Sequence, residues 1–228
     1  MNETDKIKNN LEKIKLNIEN TCRRTGRDAN SVKLLIVSKY AEVDQIKYLH
    51  SLGLREFGEN RAENLIMKSE EMKNDVIWHF IGHLQTNKIK KVVPIADLIH
   101  SIDSIKTIAA IDSYCKNINK VQKVLVEINL SGENTKYGLM INDVNNFFKD
   151  ALKYNNVEIK GLMTMAPFTD DSETVRKVFK NLRLIKEELE AKDSFLNLKE
   201  LSMGMSNDYI TAIEEGSTII RIGSAVFK

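Results

Sequence analysis

The chain has 228 residues, and its 34 lysines and arginines nearly balance 32 aspartates and glutamates for a formal net charge of +2. So even a balance supplies no field to steer nucleic acid or an anionic membrane. Hydrophobic residues make up 42%, but no apolar run nears the roughly 18 residues of a membrane span. A soluble intracellular protein follows, with one large α/β domain over residues 1–228 preferred to two small ones.

Cys22 and Cys115 stand far apart with no CxxC or Cys/His cluster near them. That argues against a disulfide framework or zinc site and suits the reducing cytoplasm. The four histidines show no ligand spacing, so no metal is expected. Residues 1–6 are charged and lack the apolar core of a signal peptide.

In chain order, Ile7, Leu11, Ile14 and Ile18 recur at three and four residues and predict an amphipathic helix over 4–24. Residues 32–39 form a short β-branched run ending in lysine, read as a strand buried on both faces. Period-two alternation puts Lys39 on the face of Leu35 and Val37, with Tyr40 turned to the opposite side. A helix marked by Val43, Ile46 and Leu49 ends at Gly53. A strand over 54–58, a helix from Asn60 through Leu65 and Met67, and a third strand over 76–82 follow. The helix over 85–93 stops before Pro94. A fourth strand covers 97–101, with Ile105, Ile108 and Ile111 on the helix after it.

Residues 121–130 make the most pronounced strand, with Val124, Val126 and Ile128 on one face and Leu125 on the other. The loop 131–138 leads to a helix carrying Val144, Phe147, Phe148 and Leu152. A sixth strand covers 159–164, and Val175, Val178, Leu182, Ile185 and Leu189 line a long helix. Strands at 200–203 and 218–222 flank a helix over 208–215. This alternation predicts a (β/α)8 TIM-type barrel over 32–227 behind an extra N-terminal helix within 1–30. A doubly wound open sheet is the alternative, but no GxGxxG follows the first strand.

Such a barrel carries its site at the carboxyl ends of its strands. Those ends bring Lys39, Glu59, Asn60, Gly82, His83, Asn129, Met163, Thr164, residues 202–206 and residues 221–224 into play. Inside an apolar barrel mouth, desolvation lowers a lysine's pKa and frees its amine as a nucleophile. The plain alternative is a lysine that caps the strand and reaches solvent. Ser206 stands at a helix start, where its hydroxyl and the following amides can hold an anion, or where it merely caps the helix. Gly223 lets backbone approach a ligand, with Ser224 beside it. The loops after strands seven and eight are the usual phosphate cradle of barrel enzymes. Arg221, set between Ile220 and Ile222, needs a buried partner unless it is a surface charge. Trp78 and His79 read as core packing, Met203 and Met205 as packing against ligand or core, and Lys88, Lys90 and Lys91 as a solvated face.

The motifs Val37-Ser38-Lys39, Phe57-Gly58-Glu59-Asn60-Arg61, Trp78-His79-Phe80-Ile81-Gly82-His83-Leu84-Gln85-Thr86-Asn87-Lys88, Gly161-Leu162-Met163-Thr164-Met165, Ser202-Met203-Gly204-Met205-Ser206 and Arg221-Ile222-Gly223 occur in this order. From about Val32 to Phe227 the chain resembles the pyridoxal phosphate homeostasis proteins, single-domain relatives of the alanine racemase barrel. The resemblance implies that Lys39 holds pyridoxal 5′-phosphate (PLP) as a Schiff base. It places Ser206, Gly223 and Ser224 around the phosphate, Arg221 at the pyridine nitrogen and Asn60 near the ring. The departures are Glu42, where proline often follows the lysine, Glu63-Asn64 in place of Gln-Glu, and an early end at Val226-Phe227-Lys228.

The implied role is cytoplasmic PLP homeostasis, buffering and delivering the cofactor as a monomer, with PLP-dependent apoenzymes or amino acids as partners. Little or no turnover is expected and no residue is assigned as catalytic. Racemisation needs an acid/base group on each face, and in alanine racemases the second is a tyrosine from an additional β domain that this sequence does not reach. A PLP-dependent racemase or decarboxylase is the alternative. Further off is a class I aldolase-like barrel in which Lys39 attacks a carbonyl and the cradle holds a sugar phosphate.

Overall fold

The computed structural model describes residues 2–72, 75–130 and 137–228. The β-branched and leucine runs form eight strands: β1 (Lys33–Val37), β2 (Glu56–Glu59), β3 (Ile77–Phe80), β4 (Leu98–Ile102), β5 (Gln122–Glu127), β6 (Val157–Met163), β7 (Glu200–Ser202) and β8 (Ile219–Ile222). They pair in chain order and β8 closes on β1, all parallel, with Ile36 beside Phe57 on one side and Leu35 beside Arg221 on the other. The helices α2 (Val43–Ser51), α3 (Ala62–Glu71), α4 (Ile89–Val92), α5 (Ile105–Asn117), α6 (Val144–Ala151), α7 (Ser172–Lys192), α8 (Tyr209–Glu214) and α9 (Ser224–Phe227) lie between and after the strands. The chain therefore folds as the expected (β/α)8 barrel.

Alternation sorts the core into two layers. Leu35, Leu98, Leu125, Met163 and Ile219 meet inside the barrel. Ile36, Val124, Val126, Ile128, Ile220 and Ile222 face outward into the larger layer under the helices. The inner apolar cluster is small, which leaves room in the barrel for polar side chains.

The N-terminal helix α1 (Glu3–Thr25) buries Ile7, Leu11, Ile14, Ile18 and Cys22. Asn2 caps it by accepting from the Asp5 amide, and Gly26 ends it at φ 69°. It lies across the helices that follow β7 and β8: Asn17 Nδ2 donates to Tyr209 Oη at 2.8 Å, and Asn10 Nδ2 to the Val226 carbonyl at 3.0 Å. Just beyond it, Arg27 donates to the carbonyls of Ile213 and Ser217.

Three expectations change. The helix over 85–93 opens as a 3₁₀ turn, Thr86–Lys88, before the single α-helical turn of α4, a tighter coil common at helix starts. Leu152 is exposed because α6 ends at Ala151. Most apolar runs are also longer than the strands, since pairing stops before apolarity does. Residues 131–136 of the expected loop lie outside the described residues. Among the described residues no helix is long and apolar enough to cross a membrane.

Candidate functional site

The end of β1 is held by a buried ion pair. Ser38 Oγ donates to Glu59 Oε1 at 2.6 Å, and the Ser38 carbonyl accepts from Lys68 Nζ at 2.6 Å. Lys68 also reaches Glu59 Oε1 at 2.8 Å. Glu59 is 0% and Lys68 3% exposed, a placement that costs free energy unless the geometry is good. The pair clamps the backbone immediately before Lys39, so the half-buried Lys39 side chain leaves a rigid stem and enters the cleft.

Tyr40 does not turn away. Its ring lies 5.1 Å from Lys39 Nζ and lines the same cleft. β1 stops at Val37, so strand alternation no longer applies three residues later. Asn60, just past β2, is packed against Gly82: a Cβ there would lie 2.1 Å from the Asn60 carbonyl oxygen. Only glycine permits that approach.

Beside the end of β1, on the β8 side of the barrel mouth, the loops after β7 and β8 converge. Ser206, Asn207, Gly223 and Ser224 line the cleft, and Ser206 Oγ accepts from the Ala225 amide at 3.2 Å, tying the two loops together. Ser206 is not the cap of α8. That position is Asp208, whose Oδ1 accepts from the Met205 amide at 2.5 Å. Gly204 makes the turn at φ 96°, where a Cβ would lie 2.6 Å from Ala212 Cβ. The backbone N–H groups of Ser206, Asn207 and Ser224 find no acceptor among the described residues. Together with the serine hydroxyls they form a donor set suited to a phosphate.

Arg221 points into the barrel from β8, 5% exposed. Its Nη1 donates to Ser202 Oγ at 2.7 Å and its Nη2 to the Thr164 carbonyl at 3.0 Å. These are the partners that its place between two isoleucines demands. Burial lowers its pKa to about 10, against the pull of the Asp208 and Glu127 carboxylates, and it stays charged at neutral pH. Burial, reinforced by Asp103, raises Glu127 to about 7 despite Arg221.

Lys39, Asn60, Ser206, Arg221, Gly223 and Ser224 thus line one cleft of about 790 Å³. Ala166, Pro167 and Phe168, after β6, add an apolar wall that the sequence did not single out. Lys68 was also missed: a lysine in mid-helix carries no sign of a buried carboxylate in front of it. His79 is more than packing, since both its ring nitrogens have polar partners. The cleft therefore brings together an amine, an anion cradle and a donor-only guanidinium.

An amine and an anion cradle in the mouth of one (β/α)8 barrel are chemistry suited to a phosphorylated carbonyl compound. Residues 9–228 match the profile of the alanine racemase N-terminal domain. The chain is 40% identical over 228 residues to the pyridoxal phosphate homeostasis protein of Aquifex aeolicus, covering 100% of this chain and 98% of the relative. The protein of that name from Vibrio alginolyticus is 34% identical over 226 residues, covering 97% and 96%. Among solved structures, PipY of Synechococcus elongatus with PLP bound superposes at TM-score 0.84 with 32% identity, covering 93% of this chain and 100% of PipY. Alanine racemase of Clostridium difficile shares the fold at TM-score 0.78 and 17% identity, over 97% of this chain and 56% of the enzyme. The chain belongs to the pyridoxal phosphate homeostasis protein family.

Proposed function

We propose that this protein binds PLP reversibly in the cleft, with Lys39 as the point of attachment, and serves PLP homeostasis with little turnover of its own. The observation that carries this reading is the convergence of Lys39, Arg221 and the two-loop donor set in one cleft. The named relatives and the PLP-bound PipY support it. When bound, PLP supplies an aldehyde that a lysine amine takes as a Schiff base, and a pyridine ring able to draw electrons. The donors at 206–207 and 224 would hold the phosphate. Arg221, which can only donate, would hold the ring nitrogen unprotonated. An unprotonated ring draws electrons weakly, which fits a carrier better than a racemase or decarboxylase. Tyr40 and Phe168 on the cleft lining are exposed, which leaves the ligand a way out to PLP-dependent apoenzymes, and we extend the proposal to a cytoplasmic monomer built as one domain.

Borohydride treatment of the PLP-loaded protein, followed by peptide mapping, tests the attachment. Label at Lys39, lost in Lys39→Ala, is expected; label at another lysine overturns the assignment. Hydrogen–deuterium exchange at Cα of alanine and other amino acids tests turnover. Fast exchange abolished by Lys39→Ala would make the protein an enzyme.

A further inference from the structure

Beneath the cleft a line of polar side chains crosses the barrel. Glu56 Oε2 lies 2.8 Å from His79 Nε2, and His79 Nδ1 lies 2.8 Å from His100 Nε2. His100 Nδ1 is 2.9 Å from Ser202 Oγ, which in turn is 2.7 Å from Arg221 Nη1. The side chains come from β2, β3, β4, β7 and β8, and His79, His100, Ser202 and Arg221 are all buried. Glu56 opens β2, so it lies at the end of the barrel away from Lys39.

The two ends settle where each hydrogen sits. A guanidinium only donates, so Ser202 Oγ accepts from it and spends its own hydrogen on His100 Nδ1. His100 then carries its hydrogen on Nε2 and gives it to His79 Nδ1. His79 carries its hydrogen on Nε2 and gives it to the Glu56 carboxylate, which only accepts. Every donor meets an acceptor, and each imidazole carries one hydrogen. The reverse polarity would need two hydrogens on His79 and would make Ser202 accept twice. Burial pushes His100 well below the ordinary imidazole range, with His79, Arg221 and Lys33 acting in the same direction.

We propose that this is a polarised hydrogen-bond relay, and that Glu56 is a positioning residue which, through His79, His100 and Ser202, orients Arg221 toward the ring nitrogen of PLP. The link to PLP rests on the function proposed above; the relay itself does not. Without the Glu56 acceptor nothing fixes the His79 tautomer, His100 and Ser202 lose their polarity in turn, and Arg221 keeps only Thr164 as a fixed partner.

The relay is tested first in the ligand-free protein, by long-range proton–nitrogen NMR of histidine labelled with nitrogen-15, at about pH 8, where a free imidazole is neutral. His79 and His100 should both show Nε2–H with bare Nδ1. An Nδ1–H tautomer at His100, or a doubly protonated His79, overturns the relay. The orienting role is tested by titrating wild type, Glu56→Leu and Glu56→Gln with PLP and with an analogue whose ring nitrogen is replaced by carbon. Glu56→Leu should weaken PLP binding by about 2- to 10-fold, the worth of one hydrogen bond, and leave the analogue unchanged. Glu56→Gln keeps an acceptor and should show a smaller loss in the same direction. Equal losses for both compounds, or none for either, overturn the orienting role. Failure of the wild type to bind PLP would overturn the proposed function and leave the NMR result standing.

Discussion

Ser206 and Ser224 occupy two loops that meet in the cleft Lys39 enters, and each brings a hydroxyl beside a backbone donor. A hydrogen bond to a charged group is worth about 1.5–3 kcal/mol, so Ser206→Ala or Ser224→Ala should weaken PLP binding by about that much in a fluorescence titration. Unphosphorylated pyridoxal should hardly respond; equal losses for both would give the serines a structural role only. The Glu59–Lys68 pair yields a stability prediction. Lys68→Met strands a buried carboxylate whose Oε2 already lacks a partner, so the loss should be about 3–5 kcal/mol by urea denaturation. Adding Glu59→Gln should recover part of it. At this scale the sequence was readable where chemistry narrows the answer: Arg221 between two isoleucines needed partners unless it was a surface charge, and it is buried on Ser202 and Thr164. It was unreadable for Tyr40 and Lys68, whose surroundings are made by turns and by segments remote in the chain.

The relation between α1 and the phosphate cradle belongs to the element scale. The helix does not touch the cleft, yet Asn17, Asn10 and the following Arg27 hold α8, α9 and the segment between them. Those elements carry the loops of Ser206 and Ser224. Ile14→Ala removes a buried side chain from the inner face of α1 and should cost about 2–5 kcal/mol of stability. PLP affinity should fall with it, while pyridoxal affinity falls less; unchanged PLP affinity would separate α1 from the cradle. Strong periodicity made α1, α5, α7 and every strand visible from apolar spacing. The helix over 208–215 was visible and matches α8, but Ser206 was read as standing at its start, whereas Asp208 holds the cap position and Ser206 lies in the turn before it. The 3₁₀ opening before α4 is likewise a matter of how a connection fits its neighbours, which spacing does not record.

At the scale of the whole molecule, the inward-facing carboxylates set how the ligand-free protein responds to pH. Glu127 ends β5 at 5% exposure, and burial with Asp103 raises it from 4.5 to about 7. An unfolded glutamate titrates at about 4.3, so between these values the native state binds more protons than the unfolded one. Stability must then fall as pH rises through that window, by about 4 kcal/mol in total, from roughly 1.4 kcal/mol per pKa unit. Burial also raises Asp208, against the pull of Arg221, and adds a slope of the same sign that begins at lower pH. In Glu127→Gln the side chain is neutral at every pH tested, and the larger part of this slope should vanish. Urea midpoints from about pH 5 to about pH 8 test this, since both limits lie outside most of the Glu127 titration. The wild type should lose stability across the range, and the variant should lose much less and be the more stable protein at the alkaline end. Parallel profiles would mean that Glu127 ionises as readily in the barrel as in water, with Arg221 compensating its burial in full.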